Sequence, residues 1–473
     1  MNDYDSEEIN EMLEQVIRYE NSKLSGVKIW FDSDNYIDII DWYYLNDMND
    51  KATQAIKEAY ALFNDNEEII SRYAGMCAWE GNFQEAISIV EEAIKKNPSD
   101  DLYTDLAALY IDSDSNTDKA ADILHKLIQK NRTNYYNFFL LGKIYLENNN
   151  NILAEKYLRK AIQLETDDKL LLGYYTDCAT EESLQETMTE FLHAVAIAHP
   201  FNDMAWTALG IVYAKYGLYE KAVEAFDLAI AIKPEGEIRH SCKADCLIAQ
   251  NDYEGAEKEL LIAIDNCSSD ACELHIVLAD IYIHKKNFRQ ALIHLLHVKN
   301  NCYDSADKNF LLDLALCYYY NDNPQQAWDC ILDAIKEQVP VEFIIDFARR
   351  LHDHGFFNES DELFAYIHSH AEDDYSVELS NVTLAALKTR EGDITQAVNI
   401  MRQTINELHS CTEDFWYAFL RITCSDKKYN NDTVNTIRLL MTLDSFPDYI
   451  KNHYPEILDN TNYKYCLKEI INA

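Results

Sequence analysis

The stretch that decides the fold runs from Asp203 to Gly236 and reads DMAWTALGIVYAKYGLYEKAVEAFDLAIAIKPEG. Its apolar residues recur three and four positions apart, which predicts two amphipathic helices in succession. Gly217 lies between the two patterns, where a residue that tolerates the left-handed backbone conformation can end the first helix. Pro234 follows the second pattern and ends it. The stretch therefore predicts one helix-turn-helix unit of 34 residues.

The same unit recurs along most of the chain, which indicates a repeat protein. Small residues mark two columns, with few exceptions. Position 8 of successive units is occupied by Ile40, Ala74, Ala107, Gly142, Thr176, Gly210, Ala244, Ala279, Ala315, Ala348 and Ala385. Position 20 is occupied by Ala52, Ala86, Ala120, Ala154, Met188, Ala222, Ala256, Ala291, Ala327, Ser360 and Ala397. Small side chains there let the two helices of a unit approach closely, and stacking of units buries the apolar faces.

The composition agrees with an almost entirely helical chain and excludes some classes of partner. The 473 residues include 11 Gly and 7 Pro, too few for the many turns of a sheet protein of this size. The formal net charge is −41. Nucleic acids and anionic membranes bind clustered cations, so neither is expected as a partner. The first residues show no positively charged segment followed by an apolar one, and no later window is apolar enough to span a membrane.

Eight residues of the 203–236 unit carry a resemblance to a known family: Trp206, Leu209, Gly210, Tyr213, Ala222, Phe226, Ala229 and Pro234. Their spacing resembles the tetratricopeptide repeat throughout. The resemblance implies an all-α fold: an α-solenoid of about 12 helix-turn-helix repeats that winds into a right-handed superhelix, whose first helices line a concave groove. Flanking residues narrow the likeness to long acidic tetratricopeptide proteins of Bacteroidetes; they include Phe31, Asp32, Tyr36, Tyr43, Tyr44, Phe446, Pro447, Tyr454 and Pro455.

Three regions are predicted from this register. Residues 1–32 form an N-terminal cap helix, over about 5–22, and a loop. Residues 33–445 form the repeat array, with units near 33, 67, 101, 135, 169, 203, 237, 272, 308, 341, 378 and 412. Residues 446–473 form a C-terminal capping helix. The unit at 169–202 carries Thr176 and Met188 in the small columns and is expected to pack more loosely.

Signatures of catalysis and of metal binding are absent or incomplete in the sequence. Glycine-rich phosphate loops, serine-hydrolase elbows and zinc-protease motifs do not occur. The 12 Cys include no Cys-x-x-Cys and are expected to be reduced thiols, mostly buried. Asp112, Asp114, Asn116 and Asp118 imitate half of a calcium loop that lacks its turn glycine and final glutamate. His294 and His297 share a helix face without an apparent third ligand. No cofactor and no metal are therefore expected.

The groove supplies the candidate partner-binding residues, because positions 2, 5, 9, 12 and 13 of each first helix point inward in this repeat class. The candidates mix aromatic, aliphatic and charged side chains. They are Trp79, Phe139, Lys143, Ile211, Lys215, Ile276, Asp280, His284, Leu312, Leu316 and Tyr320. As exposed groove positions, Phe139, Ile211 and Ile276 are expected to support binding and to contribute little to stability. Trp79 is expected to be either an aromatic anchor for a ligand or an ordinary packing residue.

The resulting prediction is a non-enzymatic cytoplasmic scaffold, monomeric, that binds peptides or helices of neutral or basic partner proteins in the groove. Two alternatives stay open at this point. One is a helical-repeat enzyme subunit with titratable groups gathered in the groove. The other is a peptide-sensing regulator, which normally carries a separate DNA-binding module, and no basic segment is left over to form one.

Overall fold

The computed structural model describes residues 6–26, 29–113, 116–166, 168–267, 271–371, 373–442 and 448–472. Within these ranges the secondary structure is helical and contains no strand, so the all-α prediction is confirmed. The chain divides into two compact units, unit 1 over Met1–Asn266 and unit 2 over Cys267–Ala473. Each unit is a stack of antiparallel helix pairs, with one tetratricopeptide-like pair per repeat.

Unit 1 contains a leading helix and seven pairs. The leading helix is α1, Ser6–Ser25. The pairs are α2 Ser33–Leu45 with α3 Asn49–Leu62, α4 Glu67–Trp79 with α5 Phe83–Lys96, α6 Asp100–Asp112 with α7 Thr117–Lys130, α8 Tyr135–Glu147 with α9 Asn151–Leu164, α10 Lys169–Asp177 with α11 Gln185–Ala198, α12 Asp203–Lys215 with α13 Tyr219–Ile232, and α14 Glu237–Ala249 with α15 Tyr253–Asn266.

Unit 2 contains five pairs and a C-terminal group of three helices. The pairs are α16 Cys272–His284 with α17 Phe288–Asn301, α18 Phe310–Tyr320 with α19 Pro324–Lys336, α20 Val341–Asp353 with α21 Phe357–His370, α22 Asp374–Glu391 with α23 Ile394–Glu407, and α24 Glu413–Thr423 with α25 Asn430–Leu440. The final helices are α26 Asp448–His453, α27 Pro455–Asp459 and α28 Thr461–Asn472.

The turn inside most pairs is made by one residue in the left-handed conformation at position 15. The glycines and asparagines expected there are joined by Asp47, Lys286 and Asp322. The residues at this position, with φ from 56° to 90°, are Asp47, Gly81, Asn149, Gly217, Asn251, Lys286, Asp322, Gly355 and Gly392. Asp tolerates this conformation through its short polar side chain, whereas Lys286 adopts it because the packed helices on both sides fix the turn.

The small columns do what the pattern predicts, because they bring paired helices into contact. Gly210 of α12 faces Phe226 of α13, and a Cβ added at Gly210 would lie 2.7 Å from Cε1 of that ring. Ala222 and Phe226 are both fully buried. This close approach seals each pair internally, while the larger residues fill the space to the next pair.

The repeat at 169–202 departs from its neighbours, as its polar sequence suggests. Its first helix, α10, has 9 residues where most first helices of unit 1 have 13. A short 3₁₀ helix, Glu182–Leu184, replaces the position-15 turn. Met188 is nevertheless fully buried and accepts a contact from the Tyr216 hydroxyl at 3.8 Å. The larger side chain in the small column is accommodated by shortening the helix beside it.

Both ends of the chain carry helices that cover apolar surface. In unit 1, Val16 and Tyr19 of α1 join the core together with Phe31 and Tyr36. In unit 2, Ile450, Ile457 and Tyr463 pack on Tyr417 and Leu420 of α24. A single capping helix was expected at 446–473, and the structure has three short ones because Pro455 and Asn460 interrupt the segment. Phe446 and Pro447 lie outside the described residues.

One expectation about cysteine chemistry is wrong. Cys272 and Cys302 form a disulfide with Cα atoms 6.0 Å apart. Cys272 begins α16 and Cys302 follows α17, and antiparallel pairing brings those two helix ends together. Elsewhere the thiols behave as small apolar groups: burial raises the pKa of Cys242 and of Cys246 to about 11, which keeps both protonated.

Candidate functional site: the first-helix face

The first helices of unit 1 form one layer, because each contacts the next along the chain. We call the surface of α4, α6, α8, α10, α12 and α14 that bears the inward positions the first-helix face. Side chains on this face bridge neighbouring repeats. Arg72 on α4 binds Asp41 on α2 in a bidentate pair, with Nη2 2.9 Å from Oδ2. Ser71 of α4 donates to Asp105 of α6.

The bridges continue along unit 1 and neutralise the cations of the face. Lys143 Nζ lies 2.9 Å from Asp112 Oδ1. Lys215 Nζ lies 3.1 Å from Asp177 Oδ1 and donates to the Thr176 carbonyl at 2.8 Å. The predicted candidates Lys143 and Lys215 therefore form ion pairs within the protein. Their partners come from the preceding first helix, roughly one repeat away.

A further bridge, between Arg239 of α14 and Asp203 of α12, is largely buried. Arg72, Arg239 and their partners were not among the residues predicted from the sequence. The signal that finds them is an opposite charge roughly one repeat away, since first helices stack in register. In unit 2 the same relation joins Arg350 of α20 to Asp313 of α18 at 2.8 Å.

Some polar groups of the face are reached by water and yet crowded by protein. Tyr136 on α8 is 38% exposed, but desolvation is the main cause that raises the pKa of its hydroxyl. Asp245 on α14 is exposed, and desolvation raises the pKa of its carboxyl as well. A side chain with this combination lies in a recess, open on one side and surrounded on the others.

The surroundings of Asp105 and Tyr136 are mainly acidic. Desolvation raises the pKa of the Asp105 carboxyl, and the nearby charges of Asp101 and Glu67 raise it further, against the hydrogen bond from Ser71. The Tyr136 pKa is raised in addition by Asp112 and Asp105. Lys143, which binds Asp112, partly opposes the shift of the Tyr136 pKa, so negative charge prevails around this hydroxyl.

Of the three apolar candidates in unit 1, two have solvent access and one does not. Trp79 ends α4 with 78% of its surface exposed, and Ile211 on α12 is half-buried. Phe139 is only 8% exposed, with its ring 5.2 Å from that of Tyr174 on α10. The prediction that Phe139 is an exposed groove residue is therefore wrong. Helix α8 is apolar on almost every side, and such a helix is buried all round.

The candidates in unit 2 divide in the same way. Asp280 and His284 are exposed on α16 and lie 3.9 Å apart, and Ile276 is half-buried. Tyr320 is 38% exposed; its ring stacks on Phe288 and its hydroxyl lies 2.8 Å from Nδ1 of His354.

Leu312 and Leu316 are fully buried or nearly so, which corrects their assignment to an exposed groove. Both belong to α18, whose sequence FLLDLALCYYY is apolar all round, so the neighbouring repeats cover it.

The calcium-like loop has no described cation site. Asp112 already binds Lys143, and Asp114 lies outside the described residues. Among the described helices, none is both long and apolar enough to cross a membrane.

Comparison with known sequences decides the family. Models of the tetratricopeptide repeat match residues 45–110, 135–168 and 190–237, all inside unit 1. The chain contains tetratricopeptide repeats in these three segments. A tetratricopeptide repeat-containing protein of Methanocaldococcus jannaschii is 26% identical over 183 residues, which are 37% of this chain. The match spans 31% of that relative's length, so less than a third of the relative is represented.

Solved tetratricopeptide structures resemble the chain at low identity. The human IFIT1 dimer with m7Gppp-AAAA is 15% identical with a TM-score of 0.41, and the match covers 86% of this chain and 96% of that one. A tetratricopeptide repeat protein from Parabacteroides merdae is 13% identical with a TM-score of 0.34, covering 66% and 99%. What those proteins bind is a property of those proteins. The narrower resemblance to acidic proteins of Bacteroidetes stays a prediction.

Proposed function

We propose that the protein is a non-enzymatic scaffold that binds a Lys- or Arg-containing segment of a partner protein along the first-helix face of unit 1. Tetratricopeptide repeats commonly mediate protein interactions, which supports the general class. Two places on this surface support the proposal, one around Asp105 of α6 and Tyr136 of α8, the other at Asp245 of α14; desolvation raises the pKa of both carboxyls.

The charge expected of the partner segment follows from the ion pairs on the first-helix face. Lys143, Lys215 and Arg239 are neutralised by aspartates of the preceding helix. Asp245 makes no ion pair with a cation in the described part of the chain, and Asp105 accepts only a neutral hydroxyl. A cationic side chain of a partner would be attracted to Asp105 or Asp245 more strongly than to a carboxylate on an open surface, because water around these two carboxylates is already partly displaced.

Trp79 supplies the apolar part of the proposed grip. Its indole is 78% exposed at the end of α4, on the same layer of helices as Asp105. Large exposed aromatic side chains are frequent anchors in protein interfaces. The proposed partner segment therefore combines a cation with an apolar residue that covers Trp79.

The test uses the full-length chain and defined probes. Fluorescence anisotropy would compare three labelled 15-residue peptides, one Lys/Arg-rich, one neutral and one Asp/Glu-rich, each with two apolar residues. We expect only the basic peptide to bind well. The double variant Asp105→Asn with Asp245→Asn should weaken that binding about tenfold, because two partly desolvated ion pairs are lost.

The matched control is Glu220→Gln with Glu224→Gln, which removes the same charge from exposed positions of the second helix α13. This control should weaken binding less than about twofold, as expected for general screening of a distant charge. Equal losses in the two double variants would show that the peptide follows net charge alone, and the proposed surface would be wrong. Trp79→Ala should separately reduce binding that persists at high salt.

A further inference from the structure

Three histidines of unit 2 lie together between α16 and α17. His275 on α16 faces His294 and His297 on α17, with ring centroids 5.1 Å and 4.1 Å away. Nδ1 of His275 lies 2.9 Å from Nδ1 of His294. Tyr282 stacks on His294, and His275 is only 9% exposed. The third histidine, missing from the sequence pattern, is thus supplied by the partner helix.

The ring geometry argues against a metal centre. Three imidazoles are a common zinc ligand set, and they require lone pairs that converge on one point. Here the rings of His275 and His297 are tilted by only 34° at a 4.1 Å centroid distance, so their in-plane lone pairs run side by side. Within the described residues no three His, Cys, Asp or Glu side chains are arranged to hold a metal ion.

The same geometry is sensitive to protons. Two Nδ1 atoms at 2.9 Å share one hydrogen, so one ring donates and the other must present a bare nitrogen. Desolvation, together with the charges of His297 and His294, lowers the pKa of His275 to about 4. A proton added to this pair would place one positive charge in a buried site, where desolvation and the neighbouring imidazoles oppose it.

Neighbouring helices bring carboxylates that are already engaged elsewhere. Asp313 of α18 lies 2.8 Å from Nη2 of Arg350, and Asp333 of α19 lies 3.7 Å from Nζ of Lys299. The charges that act on His275 are those of the two histidines of α17. Protonation of the cluster is therefore not compensated by a carboxylate at His275.

We propose that the α16–α17 pair is an acid-sensitive element, in which proton uptake by the His275, His294 and His297 cluster separates the rings and loosens this repeat. The disulfide between Cys272 and Cys302 keeps the outer ends of the two helices joined while the cluster opens. The consequence is a repeat that changes its packing on acidification without separating its helices.

The direction of the effect follows from linkage. A histidine whose pKa is lower in the folded protein stabilises it fully above its ordinary value of 6.5, and that stability is lost as the pH falls from 6.5 towards about 4. Between pH 7 and pH 5 the shift of His275 corresponds to about a 20-fold decrease in the equilibrium constant for closing the pair.

Hydrogen exchange of the full-length protein, read by mass spectrometry and corrected for the intrinsic pH dependence, tests the proposal. Peptides from residues 272–301 should lose about 20-fold in protection between pH 7 and pH 5. Peptides from α12 and α13, which contain no histidine, serve as the internal reference. His275→Leu should abolish the loss, whereas His199→Gln, at an exposed position, should leave it unchanged.

A second measurement does not depend on any variant folding. Nitrogen-15 NMR of the imidazoles in the wild-type chain should show His275 titrating near pH 4 rather than near 6.5. An ordinary titration of His275, or the same loss of protection in His275→Leu as in the wild type, would overturn the proposal.

Discussion

Replacing Gly210 by alanine tests the packing that makes each repeat. A Cβ at this position would lie 2.7, 2.8 and 2.9 Å from three carbons of the Phe226 ring, well inside ordinary contact. The ring is fully buried and cannot move into solvent. Overpacking of this kind costs about 1–3 kcal/mol, and the better helix propensity of alanine returns about 1 kcal/mol. We expect a net loss of up to about 2 kcal/mol.

Gly75→Ala is the matched control, because Gly75 is also a helix-interior glycine of unit 1 but has nothing within 4 Å of its added Cβ. It should stabilise by about 0.5–1 kcal/mol. The melting temperatures, followed by circular dichroism, should therefore shift in opposite directions, down by up to about 8 °C for Gly210→Ala and up by about 1–4 °C for Gly75→Ala. Equal or reversed shifts would refute the proposed role of the small column.

Two further substitutions test corrections to the sequence-based expectations. Phe139→Ala should lower the stability of unit 1 by about 3–5 kcal/mol, because the ring is buried between α8 and α10. A melting temperature within 1 °C of the wild type would show that the ring is exposed. Cys272→Ser should lower the stability of unit 2 by about 2–4 kcal/mol under oxidising conditions, and dithiothreitol should not change the unfolding of this variant. If dithiothreitol does not change the unfolding of the wild-type chain either, the disulfide does not form.

The fold could be predicted because the same packing positions recur in every repeat of the sequence. Ala222 and Gly210 are small for the same geometric reason as their counterparts in other units, so a single misfit does not hide the column. Lys286 shows the limit at a single position: its left-handed conformation is imposed by the flanking helices, and its side chain gives no local signal for it.

The candidate site was less predictable, because solvent exposure depends on how neighbouring repeats cover a helix. Position 5 holds the exposed-face candidate Ile276 in one unit and the buried Leu312 in the next. The all-round apolar sequence of α18 was the signal that distinguishes them. Ion pairs such as Arg72 with Asp41 join residues about one repeat apart, and a search within single units could not find them.

Cysteine pairing was missed for a different reason. Cys272 and Cys302 are 30 residues apart, and only the antiparallel arrangement of α16 and α17 brings them together. The same arrangement adds His275 to the pair of histidines recognised on α17. A disulfide or a histidine cluster formed by two helices of one repeat can be predicted only when the register of the helix pair is known.

Site-specific photo-crosslinking tests the central claim most directly, because it reports both the surface and the sequence of the bound segment. A benzoylphenylalanine placed at Trp79 would be compared with one placed at Glu220 on the second helix α13, in extract of the native cells. The account predicts crosslinks from position 79 to peptides with net positive charge, and few from position 220. Crosslinks that form mainly from position 220, or that join acidic segments at position 79, would contradict it.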